Sequence, residues 1–424
     1  MEPLLRLAKL LIPKSLFESL QPTYHYLLSI LGAIIYRFPS RHLNIVGVTG
    51  TKGKSSVCEL ANAILEEAGF ETALASTIRF KIGSKSRPNM FKMTMPGRFF
   101  IQKFLRDAVN AGCRWVVLEM TSQGVLQSRH KFIELNALVF TNLAPEHIES
   151  HGSYEKYLSA KLEIAQALAV SRKTPKAIIA NADDKEGAKF LTAAGNAARF
   201  PYSLTDAAPH HATDEGVSLR WRDSTFFSPL KGEFSMYNII AAATFAESQG
   251  IPAETIKRAI ERVSVIRGRG EEVRTGQTFT VVVDYAHTPE SLTEIYRAYG
   301  SRKKICVLGN TGGGRDKWKR PKMAEIAERE CTTVILTNED PYDEDPQTIV
   351  QEMARGMKKK KPEIIMDRRE AIAKALALAK ETDVVLITGK GTDPYICGSR
   401  GTKTRWSDSG VAAEELAKLL KIPK

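Results

Sequence analysis

The sequence predicts an α/β protein with two sheet-containing units, and three observations support this. From Leu43 to about Ile266, short β-branched runs alternate with segments of helical periodicity, as in a mainly parallel sheet covered by helices. The glycine- and arginine-rich segment 267–270 interrupts this pattern and is typical of a linker. The alternation then restarts in a second α/β unit of the dinucleotide-fold, Rossmann-like type. We therefore expect domains at 1–42, 43–266 and 267–424, the first being a short helical segment.

The composition is typical of a soluble globular protein. Of its 424 residues 43% are hydrophobic and 26% are charged, and the length suggests two or three domains. The formal net charge of +13 is spread along the chain without a basic, aromatic-interleaved module, so we expect anionic small substrates and no nucleic acid. The five cysteines lie far apart without a C-x-x-C pair, which predicts no disulfide framework and a reducing cytoplasm.

The N-terminal segment contains an apolar run, 26–36, that follows the basic residues Arg6, Lys9 and Lys14. This run is too short to cross a bilayer as a helix, and no small-residue cleavage site of a signal peptide follows it. We expect a helical segment that packs on the next domain, with peripheral membrane contact as the alternative.

A strand, a glycine-rich turn and a helix follow one another at the start of the first unit. The β-branched run 44–49 leads into the turn 50–56, which reads G-T-K-G-K-S-S, and a helical pattern follows. In such a turn backbone N–H groups surround one anion, Lys54 supplies an ammonium and Ser55 supplies a hydroxyl for Mg²⁺. The spacing differs by one residue from G-x-x-x-x-G-K-[ST], because Val48 stands at the first glycine position. We predict the phosphate site of a P-loop-type ATPase domain.

Polar clusters follow three further predicted strands of this unit, at 119–124, 141–152 and 181–184. Ligands of α/β sheets collect beyond the carboxyl ends of strands, so these clusters are candidate site residues. Glu119 together with the hydroxyl of the phosphate turn would suit one Mg²⁺, and His151 would suit a second. His147 and His151 have the spacing of half a zinc site, but no third ligand follows, and a helix-capping role is the alternative.

In this order the motifs resemble those of the Mur ligases, in particular the branch that adds the third amino acid to UDP-N-acetylmuramoyl-dipeptide. The turn 50–55 is similar to the family's ATP loop, which accounts for its shifted spacing. The segment 119–124, with Gln127 and Arg129 beyond it, resembles the family's metal-binding strand end and its substrate-contacting residues. The segment 141–152 is similar to T-N-L-x-x-D-H-L-D-x-H-G, with glutamates at 146 and 149.

Further matches extend the resemblance to the C-terminus. Lys161 occupies the place of the lysine that these ligases carbamylate, although by itself it reads as an exposed helix lysine. The segment D-Y-A-H-T-P at 284–289 resembles the contribution of the C-terminal domain to the ATP site. The remaining matches are 181–184, 232–238, 309–317, Arg320-Pro321 and 367–372.

The resemblance implies ATP and two Mg²⁺ ions, with Lys161 carbamylated. The implied catalytic residues are Lys54, Glu119, His147 and Lys161, and the implied metal ligands are Ser55, Glu119, His151 and Lys161. The implied ATP-binding residues are Gly50, Thr51, Lys52, Gly53, Lys54, Ser55, Ser56, Asn142, Arg269, Asp284 and His287. The implied residues for the other substrates are Thr94, Ser122, Arg129, Asp340, Tyr342, Gly389 and Asp393.

Two departures from the family pattern affect the substrates. About forty residues precede the ATP loop, so the usual uridine-binding domain is not expected and UDP recognition stays open. The amino-acid selection loop reads E-D-P-Y at 339–342 instead of the D-N-P-R of the diaminopimelate branch, and G-K-G-T-D at 389–393 replaces G-K-G-H-E. Tyr342 cannot pair with a second carboxylate as an arginine does. The nearby acids at 340, 343–345 and 393 favour an ammonium, so we expect lysine or ornithine, unless these acids merely cap the next helix and face solvent.

The implied reaction is ATP-dependent amide formation through an acyl phosphate, in peptidoglycan precursor synthesis. The amine of an amino acid would attack the acyl phosphate, with His147 as its base, while the C-terminal domain closes over the site. One alternative is a folylpolyglutamate-type or polymer-forming ligase, and the other is a non-catalytic ATP-binding subunit. The segment 119–129 favours the tripeptide branch over the former, and the intact Lys54, Lys161 and His287 argue against the latter. We expect small-molecule substrates, a cytoplasmic location and a monomer.

Overall fold

A computed structural model describes residues 14–146 and 148–420, in which two large sheets each carry helices on both faces. The helix α1 spans Lys14–Ile35. The strands of the first unit are β1 (Asn44–Thr49), β2 (Thr72–Ala75), β3 (Arg79–Ile82), β4 (Lys85–Pro88), β5 (Trp115–Glu119), β6 (Ala137–Phe140), β7 (Ala177–Asn181), β8 (Ala198–Tyr202), β9 (His210–Thr213), β10 (Gly216–Trp221) and β11 (Ser224–Ser228). Its helices are α2 (Lys54–Glu67), α3 (Arg98–Asn110), α4 (Ser122–Leu126), α5 (Ile148–His151), α6 (Tyr154–Ala169), α7 (Gly187–Ala193), α8 (Glu233–Ser248) and α9 (Ala253–Arg262).

The second unit follows the linker. Its strands are β12 (Glu271–Glu272), β13 (Thr280–Asp284), β14 (Lys304–Leu308), β15 (Thr333–Leu336), β16 (Glu363–Ile364), β17 (Val384–Thr388), β18 (Tyr395–Cys397) and β19 (Lys403–Arg405). Its helices are α10 (Pro289–Arg297), α11 (Lys319–Glu330), α12 (Pro346–Ala354), α13 (Arg368–Leu378) and α14 (Asp408–Leu419).

The first sheet has the strand order β4-β3-β2-β5-β1-β6-β7-β8. Its strands run parallel from β2 to β8, and β3 and β4 form an antiparallel edge. Because Val48 lies opposite Glu119 and Thr49 lies opposite Phe140, the chain leaves β1, β5 and β6 at the same edge. This register brings the glycine-rich turn, Glu119 and the segment after β6 together.

The second sheet has the order β12-β13-β17-β14-β15-β16 and is parallel except for β12. Asp284 lies opposite Thr388, so Gly389 follows directly beside the end of β13. Two small antiparallel sheets, β11-β10-β9 and β18-β19, complete the described part of the chain. The predicted α/β class with mainly parallel sheets is confirmed, while the exact domain boundaries stay a prediction.

Alternation along the buried strands builds a core on each face of the first sheet. Ile45 packs with Leu118 and Phe140 on one face, whereas its neighbour Val46 packs with Leu60 on the other. Successive side chains of a strand point to opposite faces, so a strand with both faces covered needs apolar residues throughout. The β-branched runs of the sequence are therefore explained by burial on both sides.

Helix α1 packs against the first unit through one of its faces. Ala33 is fully buried, Ser29 Oγ donates to the carbonyl of Ser128 at 2.8 Å, and Arg106 Nη2 donates to the carbonyl of Tyr36 at 2.9 Å. The outward face exposes large apolar side chains, namely Leu20, Tyr24, Leu27, Leu31, Ile34 and Ile35. Within the described ranges, no helix is both long enough and apolar enough to cross a membrane.

The expectation that the cysteines form no disulfide is wrong for one pair. Cys306 in β14 and Cys331, two residues before the start of the neighbouring strand β15, are joined by a buried disulfide with a Cα–Cα distance of 6.2 Å. The pairing of β14 with β15 brings the two residues side by side although helix α11 separates them in sequence. No spacing rule identifies a pair 25 residues apart, so this bond could not be predicted from the spacing of the cysteines.

Candidate functional site

A cavity of about 640 Å³ lies between the carboxyl ends of the two sheets. Most of the residues implied for ATP and the other substrates line it, from both units of the chain. They are Thr51, Lys52, Gly53, Lys54, Ser55, Ser56, Thr94, Glu119, Ser122, Arg129, Asn142, Arg269, Asp284, His287, Asp340, Tyr342, Gly389 and Asp393. Gly50, His151 and Lys161 are not among the lining residues, and His147 lies outside the described residues.

Two glycines give the turn after β1 its shape. Gly50 and Gly53 have φ values of 147° and 79°, in the region that residues with a side chain rarely adopt. A Cβ at Gly50 would lie 1.9 Å from Thr141 Oγ1, and one at Gly53 would lie 2.3 Å from Asn238 Oδ1. Lys54 begins helix α2 directly after Gly53, and its Nζ donates to the carbonyl of Thr51 at 2.8 Å. The ammonium is thereby folded back over the turn, where a phosphate would bind.

The segment after β6 supports this turn from behind. Thr141 Oγ1 donates to the carbonyl of Lys52 at 2.6 Å, and Asn142 Oδ1 accepts from the Lys52 backbone N–H at 2.9 Å. The N–H of Thr51 donates to the carbonyl of Asn142 at 2.8 Å. The structure therefore shows Asn142 as a residue that fixes the backbone of the ATP loop.

Glu119, at the end of β5, places a buried carboxylate in the cavity beside the ATP loop. Its Oε2 accepts from Ser55 Oγ at 2.9 Å and from the N–H of Thr77 at 2.8 Å, while Oε1 accepts from Thr77 Oγ1 at 3.0 Å. Glu119 and Ser55 thus provide two adjacent oxygen donors, the ligand type that Mg²⁺ prefers. Among the described residues, no group of three or more His, Cys, Asp or Glu side chains is placed to hold a metal ion.

Lys161 and His151 lie behind the ATP loop. Lys161 is only 2% exposed, and its Nζ donates to the carbonyl of Gly50 at 2.6 Å and lies 5.0 Å from the ring centre of Tyr157. Burial, with Lys54 nearby, lowers the pKa of the Lys161 amine well below its usual value. Burial and the charge of Lys161 also lower the pKa of His151, whose Nε2 lies 3.1 Å from Ser122 Oγ. Lys161 is therefore not the exposed helix lysine that the sequence pattern alone suggested.

The second unit reaches the ATP loop through Arg269 and His287. Arg269 Nη2 donates to Ser55 Oγ at 3.2 Å, and its guanidinium lies 4.3 Å from the ring centre of Tyr285. His287 Nδ1 lies 2.7 Å from the carbonyl of Tyr285, and Nε2 lies 3.0 Å from Glu146 Oε1 in the first unit. The two units thus meet at the loop that carries the candidate phosphate site.

Asp284 supports the linker rather than facing a cation directly. Its Oδ2 accepts from the N–H of Gly270 and its Oδ1 from the N–H of Ala286, both at 2.7 Å. Burial raises the pKa of Asp284, although Arg269 and these two N–H groups oppose the shift. Asp284 thereby ties the backbone beside Arg269 to the end of β13.

The implied acceptor residues form a continuous path away from Glu119. Thr94 Oγ1 lies 2.8 Å from Thr77 Oγ1, which itself contacts Glu119. The carbonyl of the next residue, Met95, accepts from the guanidinium of Arg129. Ser122 lies on the opposite side of Glu119, beside His151.

The acids of the amino-acid selection loop already have partners in the structure. This corrects the expectation that they form an acidic surface open to the ammonium of a substrate. Asp340 is 2% exposed, and its Oδ2 accepts from Lys390 Nζ at 2.9 Å and from Lys92 Nζ. Lys92 also lies 3.2 Å from Asp393 Oδ2 and 5.7 Å from the ring centre of Tyr342. Burial would raise the pKa of Asp340, but Lys390 and Lys92 lower it. The carboxylates of Asp340 and Asp393 thus converge on a lysine ammonium.

The other acids of this loop also have partners. Asp343 accepts from the N–H of Arg400, Glu344 pairs with Arg320 and Lys317, and Asp345 caps helix α12. The alternative drawn from the sequence, in which these acids cap the next helix and face solvent, is therefore right for Asp345, whereas Asp343 and Glu344 contact other segments.

Three residues of the cavity carry chemistry that the sequence did not reveal. Glu339 is 2% exposed, and its Oε1 accepts from Thr311 Oγ1 at 2.7 Å, but its Oε2 has no partner among the described residues. Gly389 makes room for this carboxylate, since a Cβ there would lie 2.2 Å from Glu339 Oε2. Thr77 and Lys92 are the other two. They come from loops, where no periodic pattern distinguishes a functional residue.

Comparison with known proteins assigns both units. Residues 48–246 match the Mur ligase middle domain, and residues 268–391 match the Mur ligase glutamate ligase domain. A UDP-N-acetylmuramyl-tripeptide synthetase of Roseiflexus sp. (strain RS-1) is 37% identical over 426 residues, covering 94% of this chain and 83% of the relative.

The chain belongs to the Mur ligase family.

As a Mur ligase, this protein is an ATP-dependent, ADP-forming amide ligase, and enzymes of this family use ATP and Mg²⁺ with small-molecule substrates. Its fold also matches solved structures. A UDP-N-acetylmuramoyl-L-alanyl-D-glutamate–2,6-diaminopimelate ligase is 28% identical, with a TM-score of 0.61 over 89% of this chain and 79% of the other. A folylpolyglutamate synthase of Mycobacterium tuberculosis has a TM-score of 0.70 over 92% of this chain and 94% of the other. At 14% identity the latter shows a shared fold alone.

Proposed function

We propose that this Mur ligase joins an amino acid to a free carboxylate of a muramoyl-peptide acceptor in the synthesis of peptidoglycan precursors. The observation that carries the proposal is the single cavity that the ATP loop, Glu119 and the selection loop 339–342 line together. The curated relative of Roseiflexus supports the acceptor, because it is a UDP-N-acetylmuramyl-tripeptide synthetase that covers most of the chain.

The chemistry follows from the residues that surround the ATP loop. A carboxylate cannot expel oxide, so it must first take the γ-phosphoryl group of ATP to become an acyl phosphate, with ADP as the leaving group. Lys54, the N–H groups of the turn and Arg269 place positive charge and donors where the transferred phosphoryl group carries negative charge. The amine of the amino acid then attacks the acyl carbon and expels phosphate. Residues of both units line the cavity, so their approach would keep water from the acyl phosphate.

We propose Ser55 and Glu119 as ligands of one Mg²⁺, and His151 with a carbamylated Lys161 as ligands of a second. When bound, Mg²⁺ neutralises phosphate charge. Carbamylation requires a neutral amine, which attacks CO₂, forms an N–C bond and releases a proton. The burial of Lys161 supports this step, since a buried ammonium whose one hydrogen-bond acceptor among the described residues is the Gly50 carbonyl is costly. The carbamate would convert a cation into an anionic oxygen ligand.

We propose that the amino acid carries an ammonium on its side chain, as lysine and ornithine do. Glu339 supports this, because its buried Oε2 faces the cavity without a described partner and would accept from an ammonium. His147 remains our proposed base for deprotonating the attacking amine.

The setting of the enzyme is also a proposal. We place it in the cytoplasm, where ATP is available, as a monomer. The apolar stripe of α1 supports a peripheral contact with a membrane surface. Exposed Arg37 and Arg41 lie at the C-terminal end of this stripe, and the sequence places Arg6, Lys9 and Lys14 before it. An exposed apolar helix face with basic residues beside it favours binding to anionic lipid surfaces.

The test is release of phosphate from ATP across a panel of acceptors and amino acids. The acceptors are UDP-N-acetylmuramoyl-dipeptide, the same dipeptide on 1-O-methyl-muramic acid, and a folate. We expect turnover that depends on both a muramoyl-dipeptide and an amino acid. Lys54→Ala should abolish it while the thermal unfolding curve stays that of the wild type, because Lys54 acts on phosphate at a turn. Turnover with the folate and not with either muramoyl-dipeptide would overturn the proposal.

A further inference from the structure

Two arginines and a histidine form a cationic cluster where helix α1 meets the first unit. Arg98 is the first residue of α3, Arg129 lines the cavity, and His25 comes from α1. Arg98 Nη2 donates to the carbonyl of Gln127 at 3.0 Å, and the guanidinium of Arg129 donates to Oε1 of the same residue. Gln127 thus holds the two guanidinium groups close to each other.

Among the described residues, no carboxylate lies within 4.0 Å of either guanidinium group, whereas three other arginines of the described chain, two of them buried, each pair with at least one carboxylate. Arg79 pairs with Glu59, Arg320 pairs with Glu344 and Glu352, and Arg368 pairs with Asp408. Burial and the charge of Arg98 lower the pKa of Arg129 to about 10, and burial also lowers the pKa of Arg98. Two partly buried cations without an anion repel each other and are costly to bring together.

The cluster also contains N–H donors that have no acceptor among the described residues. His25 Nδ1 lies 2.7 Å from Arg98 Nη2, and since a guanidinium only donates, Nδ1 is the acceptor and the proton of the neutral ring is on Nε2. Nε2 of His25 and Nε of both arginines are buried without a partner. The first turn of α3 carries no acidic residue, so the positive end of this helix is not compensated either.

We propose that Arg98, Arg129 and His25 bind the diphosphate group of the acceptor. The inference rests on the proposed function and adds to it that the muramoyl-peptide acceptor carries a diphosphate at the end opposite its peptide. The path from Glu119 through Thr77 and Thr94 to Met95 and Arg129 leads from the reacting carboxylate to the cluster. Guanidinium groups bind phosphates through two parallel N–H donors, and His25 adds a donor from the helix that begins the described chain. The same chemistry fits a nucleoside diphosphate and a lipid diphosphate.

The first experiment compares three acceptors that share one muramoyl-dipeptide. They carry UDP, a short prenyl diphosphate, or a 1-O-methyl group without phosphate. We expect Arg98→Gln to raise KM for the preferred diphosphate acceptor about tenfold. The increase in KM for the methyl glycoside should be at least several times smaller. Arg98→Lys should restore part of it. Lys103→Gln is the matched control, because it removes one exposed positive charge from the same helix. The diphosphate acceptor that the wild type prefers, UDP-linked or prenyl-linked, shows whether the bound diphosphate belongs to a nucleotide or to a lipid.

The second experiment does not need turnover, so it separates this inference from the proposed function. Calorimetry measures binding of inorganic pyrophosphate while a non-hydrolysable ATP analogue saturates the ATP loop. The wild type and Lys103→Gln should bind equally, and Arg98→Gln and His25→Phe should bind about tenfold more weakly with unchanged thermal unfolding. Absence of binding to the wild type, or equal losses in Arg98→Gln and Lys103→Gln, would overturn the inference. Failure of all three acceptors with retained, Arg98-dependent pyrophosphate binding would overturn the proposed function alone.

Discussion

At the scale of single residues, Lys161 shows how burial changes the role that is expected of a side chain. It lies on helix α6 with its amine against the carbonyl of Gly50, inside the structure that supports the ATP loop. We expect Lys161→Ala to lower kcat about 100-fold, as the loss of a metal-site partner does. Formate or acetate should restore part of the activity, because a small carboxylate can enter the space of the missing carbamate. Steady-state rates with and without these acids provide the measurement.

The control for this prediction is Lys156→Ala, which removes an exposed lysine from the same helix. It should keep the activity of the wild type and should not respond to formate or acetate. A Lys161→Ala variant with unchanged kcat would show that Lys161 is only a structural residue.

Lys92 decides between two descriptions of the amino-acid pocket. If Asp340 and Asp393 are the seat of a substrate ammonium, Lys92 competes with the substrate for them. Lys92→Met should then lower KM for lysine severalfold, and the wild type should prefer lysine or ornithine to diaminopimelate in a direct competition. Lys85→Met, which removes an exposed lysine of β4, is the control. A wild type that prefers diaminopimelate, with this preference lost in Lys92→Met, would instead make Lys92 the partner of the second carboxylate.

Several site residues were accessible from the sequence, and others were not. The turn at Gly50 and Gly53 was predicted because a strand, glycines and a helix must follow one another there, and the structure shows that neither position has room for a Cβ. Lys161 was implied by resemblance alone, since its burial depends on tertiary packing. Lys92 and Glu339 were missed as partners because their contacts join segments about 250 and 30 residues apart.

At the scale of secondary-structure elements, the buried strands were the easiest features to predict. Both faces of β1 and β5 are covered, so their β-branched runs are continuous and distinctive. The small antiparallel sheet β9 to β11 was not predicted, because β9 is largely exposed, β11 is only partly buried, and both lie within a segment that we expected to alternate strands with helices. The Cys306–Cys331 bond depends on the neighbouring positions of β14 and β15, which sequence spacing does not reveal.

Helix α1 is the element for which we expect contact with a lipid surface. Leu27 and Leu31 are 58% and 46% exposed, one helical turn apart on its outward face. We expect the protein to sediment with vesicles that contain anionic lipid, and less with neutral vesicles, because apolar burial and charge attraction act together. Leu27→Ser combined with Leu31→Ser should reduce the bound fraction severalfold in the sedimentation assay.

The control for the helix is Val170→Ser, since Val170 is 81% exposed and lies outside α1. This variant should bind vesicles like the wild type. Unchanged binding of the double variant would show that the stripe of α1 does not contact the membrane, and a change of its oligomeric state would assign the stripe to a second copy of the chain.

At the scale of the whole molecule, the two units line one cavity together. The first unit supplies the ATP loop and Glu119, and the second supplies Arg269, His287 and the selection loop. Contacts between the units occur both at the phosphate end, where Arg269 meets Ser55, and at the amino-acid end, where Lys92 meets Asp340. Changes in the relative position of the units would therefore alter binding of ATP and of the amino acid together.

Arg269 provides the sharpest test of this shared site. Its guanidinium donates to Ser55 Oγ at 3.2 Å and stacks on Tyr285, so it is the cation that the second unit places at the ATP loop. We expect Arg269→Ala to raise KM for ATP about tenfold and to lower kcat by a similar factor, because a donor preorganised for phosphate charge is lost. Arg267→Ala removes an equal charge from an exposed position two residues earlier and should leave both constants unchanged. If Arg269→Ala behaves like Arg267→Ala in steady-state kinetics, the second unit does not complete the ATP site through this residue, and His287 with Glu146 becomes the contact to test next.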